Sequence, residues 1–375
     1  MHDITVQPTK LRSLPSPEPA AGLDSYHRER ALALAGDPRR KANYEAYLGH
    51  QRRDAVIDYL PVKLDIENVS RCNFRCTMCV VADWPKGRRS DDMSLGDFRR
   101  LIDEQYGLVE IKLQGIGEPL MQGDDFFEMI RYARSKHIWV RTTTNASLLH
   151  LRDNYKKLVD SGVNEIQISI DGATRDVFEQ IRVGSVFERV VANCKLINDY
   201  CREQGVERTK MWTVVQQANC HQLGDLVELG QELGFTNQVF SLEVIGWGLE
   251  AWNERNGSVT VEDKLGLDSM LALLEKGRSQ GRRVSFWHTT EKYRTDSPGH
   301  LCPWPFERAY VSSDLRVVPC CTVGNPDTYQ IGAALDNNGS FSDVWKSDEF
   351  ADFRRAHLEG RPPQICRACY EQPKE

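Results

Sequence analysis

The stretch Cys72-Asn73-Phe74-Arg75-Cys76-Thr77-Met78-Cys79 decides the fold, and it directly follows the strand-like segment Val62–Asn68. Three cysteines spaced C-x3-C-x2-C on one short loop can bind three irons of a cubane iron–sulfur cluster, which leaves the fourth iron without a protein ligand. An open metal position is where a small molecule can bind and react. The alternative is a structural zinc site, although zinc sites usually use paired C-x2-C motifs or histidines.

Strand-like and helix-like segments alternate from residue 62 onward. The strand-like segments are Val62–Asn68, Val109–Gln114, Trp139–Thr144, Glu165–Ile170, Met211–Gln216 and Gln238–Val244. The helix-like segments between them are Leu95–Gln105, Asp124–Lys136, Arg152–Ser161, Phe187–Gln204 and His221–Leu233. This alternation predicts an α/β fold with a parallel sheet and right-handed crossovers. In such sheets the ligand binds at the carboxyl ends of the strands.

Four regions follow from the change of pattern along the chain: a flexible lead and helical extension over 1–58, the α/β core over 59–255, a linker helix region over 256–298 and a small domain over 299–375. The last region combines two short strands, a helix near Phe341–Leu358 and two cysteine-bearing loops. Its core would be thin, so a metal centre would stabilise it.

The composition excludes several classes of protein. The chain has 375 residues, of which 40% are hydrophobic and 27% charged, with a net charge of −6. A mildly acidic chain lacks the basic surface of a nucleic-acid-binding protein. No apolar run is long enough to span a membrane, and the N-terminus lacks the apolar core of a secretory signal. Eleven cysteines without such a signal predict a reducing compartment, and hence a cytoplasmic protein.

Small polar groups follow successive strands. Gln114-Gly115-Ile116-Gly117-Glu118-Pro119 comes after the second strand, Thr144-Asn145 after the third and Ser169-Ile170-Asp171-Gly172 at the end of the fourth, with Arg182 thirteen residues after Ser169. Each is common by itself, because Asn and Asp cap helices and Arg usually lies on the surface. Together they line one mouth, as a cofactor with several functional groups requires.

These motifs together resemble the radical S-adenosylmethionine (SAM) superfamily. The resemblance covers about residues 60–250 and implies a partial (β/α)6 TIM-like barrel. Two departures from the usual pattern are Met78, where many members carry an aromatic residue, and Ile116, where many carry glycine.

The resemblance also implies the residues that bind cofactors. Cys72, Cys76 and Cys79 would ligate a 4Fe-4S cluster whose open iron binds SAM. Glu118 would contact the amino group of SAM, Asn145 and Ser169 its ribose or carboxylate, and Arg182 its carboxylate. The full set of expected SAM contacts is Gly115, Gly117, Glu118, Pro119, Asn145, Ser169, Asp171 and Arg182.

The C-terminal cysteines resemble the SPASM/twitch extension found in part of this superfamily. The resemblance implies an auxiliary 4Fe-4S cluster ligated by Cys302, Cys320, Cys366 and Cys369. A zinc ribbon made by the same four residues is the alternative by spacing alone. Cys321 is a spare thiol beside one proposed ligand: an alternative ligand, a hydrogen-atom donor or a buried small residue.

The expected chemistry is that of the cofactor. An electron donor such as flavodoxin or ferredoxin would reduce the first cluster, and cleavage of SAM would give a 5′-deoxyadenosyl radical that removes a hydrogen atom. The leading hypothesis is a small-molecule substrate, a sugar or aminocyclitol of a biosynthetic pathway such as that of an antibiotic, which is oxidised at an alcohol or epimerised. Glu243 is then a candidate for the substrate pocket.

Two other functions remain open from the sequence. One is the maturation of a ribosomally made peptide, by forming a thioether or a side-chain cross-link. The other is a non-enzymatic iron–sulfur protein that transfers electrons. The glycine-rich and Ser-Ile-Asp-Gly segments argue against the second, because an electron carrier does not need a cofactor mouth.

Overall fold

The computed structural model describes residues 14–83, 91–242, 252, 256, 265–287, 292–335 and 339–371. The predicted pocket residue Glu243 lies outside this part of the chain. The strands are β1 Lys63–Ile66, β2 Glu110–Leu113, β3 Trp139–Thr144, β4 Glu165–Ser169, β5 Thr209–Val214, β6 Asn237–Ser241, β7 Arg283–Trp287, β8 Arg308–Val311, β9 Arg316–Val318 and β10 Gly332–Ala333. The helices are α1 Leu23–Gly36, α2 Pro38–His50, α3 Leu95–Glu104, α4 Asp124–Ser135, α5 Asn154–Asp160, α6 Arg175–Ile181, α7 Phe187–Glu203, α8 Leu223–Glu232, α9 Leu267–Ser279, α10 Trp304–Glu307, α11 Phe341–Lys346 and α12 Asp348–Leu358.

All ten strands form one sheet in the order β10-β9-β8-β1-β2-β3-β4-β5-β6-β7. Strands β1 to β7 are parallel, as the alternating pattern predicts. Strand β8 adds to the other side of β1 in parallel, and β9 and β10 follow it antiparallel. The predicted α/β fold with a parallel sheet is therefore confirmed, and the cysteine-bearing C-terminal segment continues the same sheet.

A seventh parallel strand, β7, lies within the region that the sequence pattern assigns to a linker helix. Its sequence Arg-Val-Ser-Phe-Trp alternates polar and apolar residues, and its burial alternates in step. The strand is short and its partner β6 lies far from it in sequence, so the pattern by itself gives a weak signal. Because β7 pairs with β6 and β8 pairs with the other side of β1, the parallel part of the sheet has eight strands rather than the predicted six.

The two faces of the sheet differ in polarity. On β1, Leu64 and Ile66 have no exposed surface and belong to the main hydrophobic core, which the helices complete. The alternate residues, Lys63 and Asp65, point to the opposite face, here called the inner face. Trp212 of β5 and Trp287 of β7 approach each other on this face, with ring centroids 6.3 Å apart. A contact between strands that are not neighbours is what a curved, partly closed barrel allows.

The segment before α1 packs against one end of the sheet. The Ala20 backbone N–H donates to Glu165 Oε2 at 3.1 Å, and Lys210 Nζ donates to the Glu18 carbonyl at 2.6 Å. The Phe286 N–H donates to the Pro15 carbonyl at 2.9 Å. In the described part of the predicted N-terminal lead, these hydrogen bonds hold the chain against the amino ends of β4 and β5 and along the edge strand β7. Within the described ranges, no helix has the length and apolar character needed to cross a membrane.

Candidate active site

The cysteine loop after β1 is fixed by backbone hydrogen bonds. The Arg75 N–H donates to the Val183 carbonyl at 2.8 Å and the Thr77 N–H to the Ile181 carbonyl at 2.9 Å, so the loop lies along the end of α6. Within the loop, the Cys79 N–H donates to the Cys76 carbonyl at 3.0 Å. Burial raises the pKa of the Cys79 thiol to about 12. Thiols that are protonated in the metal-free protein release their protons when they bind iron.

The glycine-rich segment after β2 packs directly on the cysteine loop. A Cβ atom at Gly115 would overlap the Glu67 side chain, and one at Gly117 would overlap the carbonyl oxygens of Val69 and Arg71. Glycine is therefore needed at both positions for the close approach of the two chains. The Glu118 N–H closes the contact by donating to the Arg71 carbonyl at 3.0 Å.

Glu67 connects three parts of the site, and sequence reasoning missed it. Its side chain has no exposed surface. One carboxylate oxygen accepts from the Ile116 N–H at 3.0 Å, and the other accepts from the Ser313 N–H, also at 3.0 Å. Glu67 thereby connects the end of β1, the strand before the cysteine loop, to the glycine segment and to the turn after β8. An acidic residue that follows a buried strand was the available signal.

The Glu118 carboxylate is buried and surrounded by donors. Its Oε1 accepts from Thr144 Oγ1 at 2.6 Å, and its Oε2 accepts from the Asn145 N–H at 2.8 Å. Burial raises the pKa of this carboxyl to about 7, although the two hydrogen bonds oppose the shift. The predicted contact to the amino group of SAM therefore falls on a carboxylate that β3 already holds in place, and that contact stays a prediction.

Asn145 is joined to the cysteine loop by a small network of amides and a hydroxyl. Its Nδ2 donates to Asn73 Oδ1 at 2.9 Å and lies 4.0 Å from Cys72 Sγ. Ser147 Oγ donates to Asn145 Oδ1 at 2.6 Å, and Asn73 Nδ2 donates to Ser147 Oγ at 2.8 Å. The network orients Asn145 beside the first cysteine. Asn73 and Ser147 were not among the predicted site residues.

Asp171 and Arg182 form a buried ion pair next to the cysteine loop. Arg182 Nη2 lies 2.6 Å from Asp171 Oδ2, and Asp171 Oδ1 accepts from the Val214 N–H at 2.8 Å. Burial alone would lower the pKa of Arg182, but the attraction of Asp171 outweighs it and raises the pKa. Ser169 is half-buried at the end of β4. The structure thus places Asp171, Arg182 and Ser169 at one edge of the sheet, while their contacts to SAM stay predictions.

The four C-terminal cysteines proposed as auxiliary ligands lie close enough to influence one another. Burial raises the pKa of the Cys302 and Cys320 thiols to about 12, and Cys369 adds to the shift at both. Burial also raises the pKa of the Cys366 thiol, and Cys320, Cys302 and Cys369 raise it further. In the part of the chain that the structure describes, no three His, Cys, Asp or Glu side chains converge on a point that would hold a single metal ion. A cubane binds each thiolate through a different iron, so its ligands lie farther apart than those of one zinc ion, and this set fits the cubane better.

A buried polar relay supports the first auxiliary cysteine. The Cys302 N–H donates to Tyr370 Oη at 3.0 Å, and Tyr370 Oη lies 2.8 Å from His357 Nδ1. Since the tyrosine oxygen already accepts from Cys302, its hydroxyl hydrogen is free to donate to the histidine. Burial lowers the pKa of His357 to about 4, so the ring is neutral and can accept. Tyr370 and His357 were not predicted.

Cys321 faces a different environment from its neighbour Cys320. Burial raises the pKa of its thiol, Asp65 and Cys320 raise it further, and Lys112 lowers it. Asp65 and Lys112 are inner-face residues of β1 and β2, so Cys321 lies beside the inner face of the sheet. The predicted role of Cys321 as a hydrogen-atom donor stays a prediction.

Comparison with known proteins agrees with this geometry. A sequence model of the radical SAM superfamily matches residues 68–215, and a model of an iron-sulfur cluster-binding domain, SPASM, matches residues 302–370. The mycofactocin maturase MftC of Mycolicibacterium smegmatis is 27% identical over 317 residues, which cover 82% of this chain and 74% of MftC. The PqqA peptide cyclase of Bradyrhizobium diazoefficiens is 22% identical over 330 residues, covering 86% and 82% of the two chains.

A solved structure has the same fold. Streptococcus suis SuiB bound to the precursor peptide SuiA superposes with a TM-score of 0.63 over 84% of this chain and 71% of SuiB. The identity is 15%, so the likeness concerns the fold alone.

These findings overturn the leading hypothesis about the substrate. The prediction of a sugar or aminocyclitol, oxidised or epimerised in a pathway such as antibiotic biosynthesis, is wrong. The relatives that match over more than four fifths of the chain are named as a mycofactocin maturase and a PqqA peptide cyclase, and neither name refers to a sugar or an aminocyclitol. The sequence had no direct signal for the substrate, because the residues of the cofactor mouth serve SAM whatever the substrate is.

The superfamily prediction, in contrast, is confirmed, and so are its cofactors: SAM, the 4Fe-4S cluster that binds it and the auxiliary 4Fe-4S cluster. The cysteine loop, the glycine segment that packs on it and the C-terminal cysteine set each fall within a matched region or at its boundary. The chain belongs to the radical SAM superfamily and is a radical SAM enzyme with a C-terminal SPASM domain.

Proposed function

We propose that this enzyme is a peptide maturase, which modifies a ribosomally made precursor peptide by removing a hydrogen atom from an unactivated C–H group. The observation that carries the proposal is the match to the mycofactocin maturase MftC at 27% identity over 82% of this chain. The match to the PqqA peptide cyclase covers a similar share and supports it. When bound, the first cluster and SAM supply the radical that removes the hydrogen atom.

The residues around the cysteine loop hold these groups and exclude water from them. Asn145 and Asn73 pair through their amides beside Cys72, which fixes the loop on the side of β3. The ion pair of Asp171 and Arg182 fixes it on the side of β4. Glu118 holds the end of the glycine segment against β3. A site held in one geometry keeps the reacting C–H close to the radical and prevents side reactions with solvent.

The auxiliary cluster serves the product-forming step in this proposal. Its cysteine-bearing segment continues the sheet through β8, so it lies on the opposite side of β1 from the SAM-binding strands β2 to β4. A peptide on the inner face would lie between the two centres. Cys302, Cys320, Cys366 and Cys369 would hold the auxiliary cluster, which would supply an electron acceptor there, and a flavodoxin or ferredoxin would supply electrons to the enzyme. Because ligation of iron–sulfur clusters requires reduced cysteines, we place the enzyme in the reducing cytoplasm.

The test is turnover with candidate precursor peptides. Short peptides encoded beside the gene are synthesised and incubated anaerobically with reconstituted enzyme, SAM and dithionite. The proposal expects a mass change in one peptide together with 5′-deoxyadenosine. Cys76→Ala should abolish both products, whereas Cys220→Ala should retain them, because Cys220, in the turn before α8, belongs to neither proposed set of cluster ligands. Cleavage of SAM without a mass change in any encoded peptide would argue against a peptide substrate.

A further inference from the structure

The inner face of the sheet carries an unusual set of buried charges. Arg141 of β3 pairs with Glu110 of β2 at 2.7 Å. Lys210 of β5 pairs with Glu165 of β4 at 2.8 Å. Charges in such a place are stable only when an opposite charge or hydrogen bonds compensate them.

The same rule holds at the other end of the inner face. Lys63 of β1 lies 3.6 Å from Glu307, and Arg308 of β8 lies 2.8 Å from the same carboxylate. Arg308 also lies 3.8 Å from Asp65. Each of these cations therefore has a carboxylate within 4 Å.

Lys112 of β2 departs from this pattern. It is half-buried, and its neighbours in register are Asp65 of β1 and Arg141 of β3. Among the described residues it forms neither a salt bridge nor a hydrogen bond, although every other inner-face cation named above has a partner. Asp65, the carboxylate beside it, lies instead within ion-pair distance of Arg308. Among the described residues of the inner face, Lys112 is thus a cation that Asp65 attracts electrostatically but that has no carboxylate within ion-pair distance.

A second unpartnered group lies on the same face. Gln114 follows Lys112 by two residues, so its side chain points to the same side of the strand. Its Oε1 is buried and accepts no hydrogen bond, whereas its Nε2 donates to the Gly115 carbonyl at 3.2 Å. A buried oxygen without a donor costs free energy unless a ligand supplies one. The Lys112 ammonium group could bind a carboxylate of a ligand, and Gln114 Oε1 beside it could accept from an adjoining amide N–H of the same ligand.

The position of Lys112 suits a substrate anchor. It lies six residues before Glu118 on the segment that meets the SAM-binding cysteine loop, and only β1 separates its strand from β8, which leads into the auxiliary cysteine region. Lys112 therefore lies between the two cluster regions, where the reacting residue of a substrate would be held.

We propose that Lys112 and Gln114 bind a carboxylate and the adjoining amide N–H of the substrate peptide on the inner face of the sheet. This inference rests on the proposed function, and it specifies the substrate class: a peptide with an acidic side chain or a free C-terminus next to the residue that reacts. Lys112 supplies the charge, and Gln114 accepts from the backbone of the peptide. An ammonium–carboxylate hydrogen bond is among the stronger ones in proteins.

The first experiment measures the accessibility of the Lys112 amine in the full-length, anaerobically reconstituted enzyme with SAM bound. Acetic anhydride labels the lysines, and mass spectrometry of the digest gives the labelling rate of Lys112, with Lys63 as internal reference. The probes are N-acetyl-Ala-Glu-Ala-amide, its Gln counterpart and N-acetyl-Ala-Ala-Ala with a free carboxylate, at equal ionic strength. Protection by either carboxylate peptide, but not by the Gln peptide, supports the proposal, and the two carboxylate probes distinguish a side chain from a C-terminus.

Three results overturn it. Equal protection by the Gln peptide would show that shape rather than charge is recognised. Protection by SAM alone, with no further effect of peptide, would assign Lys112 to the cofactor. No protection by any probe would leave Lys112 without a carboxylate ligand. Turnover is not needed for the measurement, so protection of Lys112 by a carboxylate probe, with no modification of any peptide encoded beside the gene, would contradict the proposed function and not the anchor.

Variants give an independent readout. By calorimetric titration of N-acetyl-Ala-Glu-Ala-amide, Lys112→Gln should weaken binding about tenfold or more, the loss expected for one charge-assisted hydrogen bond. Lys112→Arg should restore most of it. Lys63→Gln is the matched control, because Lys63 lies on the same face but already pairs with Glu307. Unchanged affinity in folded Lys112→Gln would contradict the anchor.

Discussion

The Arg182 guanidinium lies 2.6 Å from the Asp171 carboxylate, and the two side chains are 8% and 0% exposed. Arg182 follows the helix whose end meets the cysteine loop, whereas Asp171 directly follows β4. The pair therefore connects the fourth strand of the sheet to the loop that holds the first cluster. Its strength bears on both the stability of the fold and the geometry of the site.

Breaking this pair should destabilise the protein strongly. Asp171→Asn leaves the buried Arg182 guanidinium without its charge partner, and such a loss costs about 3–5 kcal/mol. Chemical denaturation of the metal-free protein measures it. The matched control is Glu188→Gln, which removes the exposed partner of Arg175 and should change stability little. Equal stability of Asp171→Asn and wild type would show that the pair is not a structural element.

The inner-face charges predict a distinct dependence of stability on pH. Burial alone would raise the pKa of Glu110, but Arg141 outweighs it and the folded-state pKa is about 2, against 4.5 for the free side chain. The stabilisation by this carboxylate is thus complete above pH 4.5 and is lost as the pH falls towards 2.

Glu110→Gln should accordingly lower stability at neutral pH and flatten the acid limb of the stability curve. Thermal unfolding at a series of pH values provides the measurement. Asp124→Asn is the control, because Asp124 pairs with Lys157 on the surface and water screens that pair. An acid limb of unchanged slope in Glu110→Gln would mean that Glu110 is not ionised in the folded protein.

A side chain at Gly115, the first glycine of the segment after β2, should destabilise the protein. In Gly115→Ala the new Cβ overlaps the Glu67 side chain, and overpacking of this kind costs about 1–3 kcal/mol. Gly96→Ala on the exposed start of α3 has ordinary contact distances and should change stability by less than about 0.5 kcal/mol. Denaturant unfolding of the two variants gives the comparison, and equal effects would mean that Glu67 moves aside without cost.

The two cluster sites should lose iron independently. Wild type should hold about eight irons, and replacing Cys72, Cys76 and Cys79 together by Ala should leave about four. Replacing Cys302, Cys320, Cys366 and Cys369 should likewise leave about four, while Cys220→Ala retains all. Iron and sulfide analysis with Mössbauer spectra of anaerobically reconstituted protein measures this. About four irons in wild type, and none in the first variant, would return the C-terminal cysteines to the zinc alternative.

Local patterns predicted several elements closely because those elements are set by their own residues. Trp139–Thr144 is a strand over the predicted range, and the two short strands predicted for the C-terminal region are present as Arg308–Val311 and Arg316–Val318. The helix predicted near Phe341–Leu358 divides at Ser347, whose hydroxyl caps the second half by accepting from the Phe350 N–H at 3.2 Å. Ser347 can be read in the sequence, but the sequence does not decide whether a serine within a helical pattern continues the helix or caps a new one.

The sequence by itself determined the chemistry of this enzyme. The C-x3-C-x2-C spacing places three thiols on one loop, and alternating strands and helices bring the polar ends of successive strands together. The cysteine spacing and the alternation of strands and helices both depend on the number of residues between positions, which can be read directly from the sequence. The need for glycine at positions 115 and 117 could also be recognised from the sequence, because it depends only on the absence of a side chain at these positions.

Only the tertiary structure decided how distant residues share one environment. Glu67 accepts a hydrogen bond from Ser313, 246 positions along the chain, and only the structure shows that Lys112 has no salt bridge among the described residues while the neighbouring inner-face cations are paired. The roles of such groups depend on which strands become neighbours and how far the sheet curves. Burial then decides the rest, since a charge costs little in water and must be compensated inside the fold.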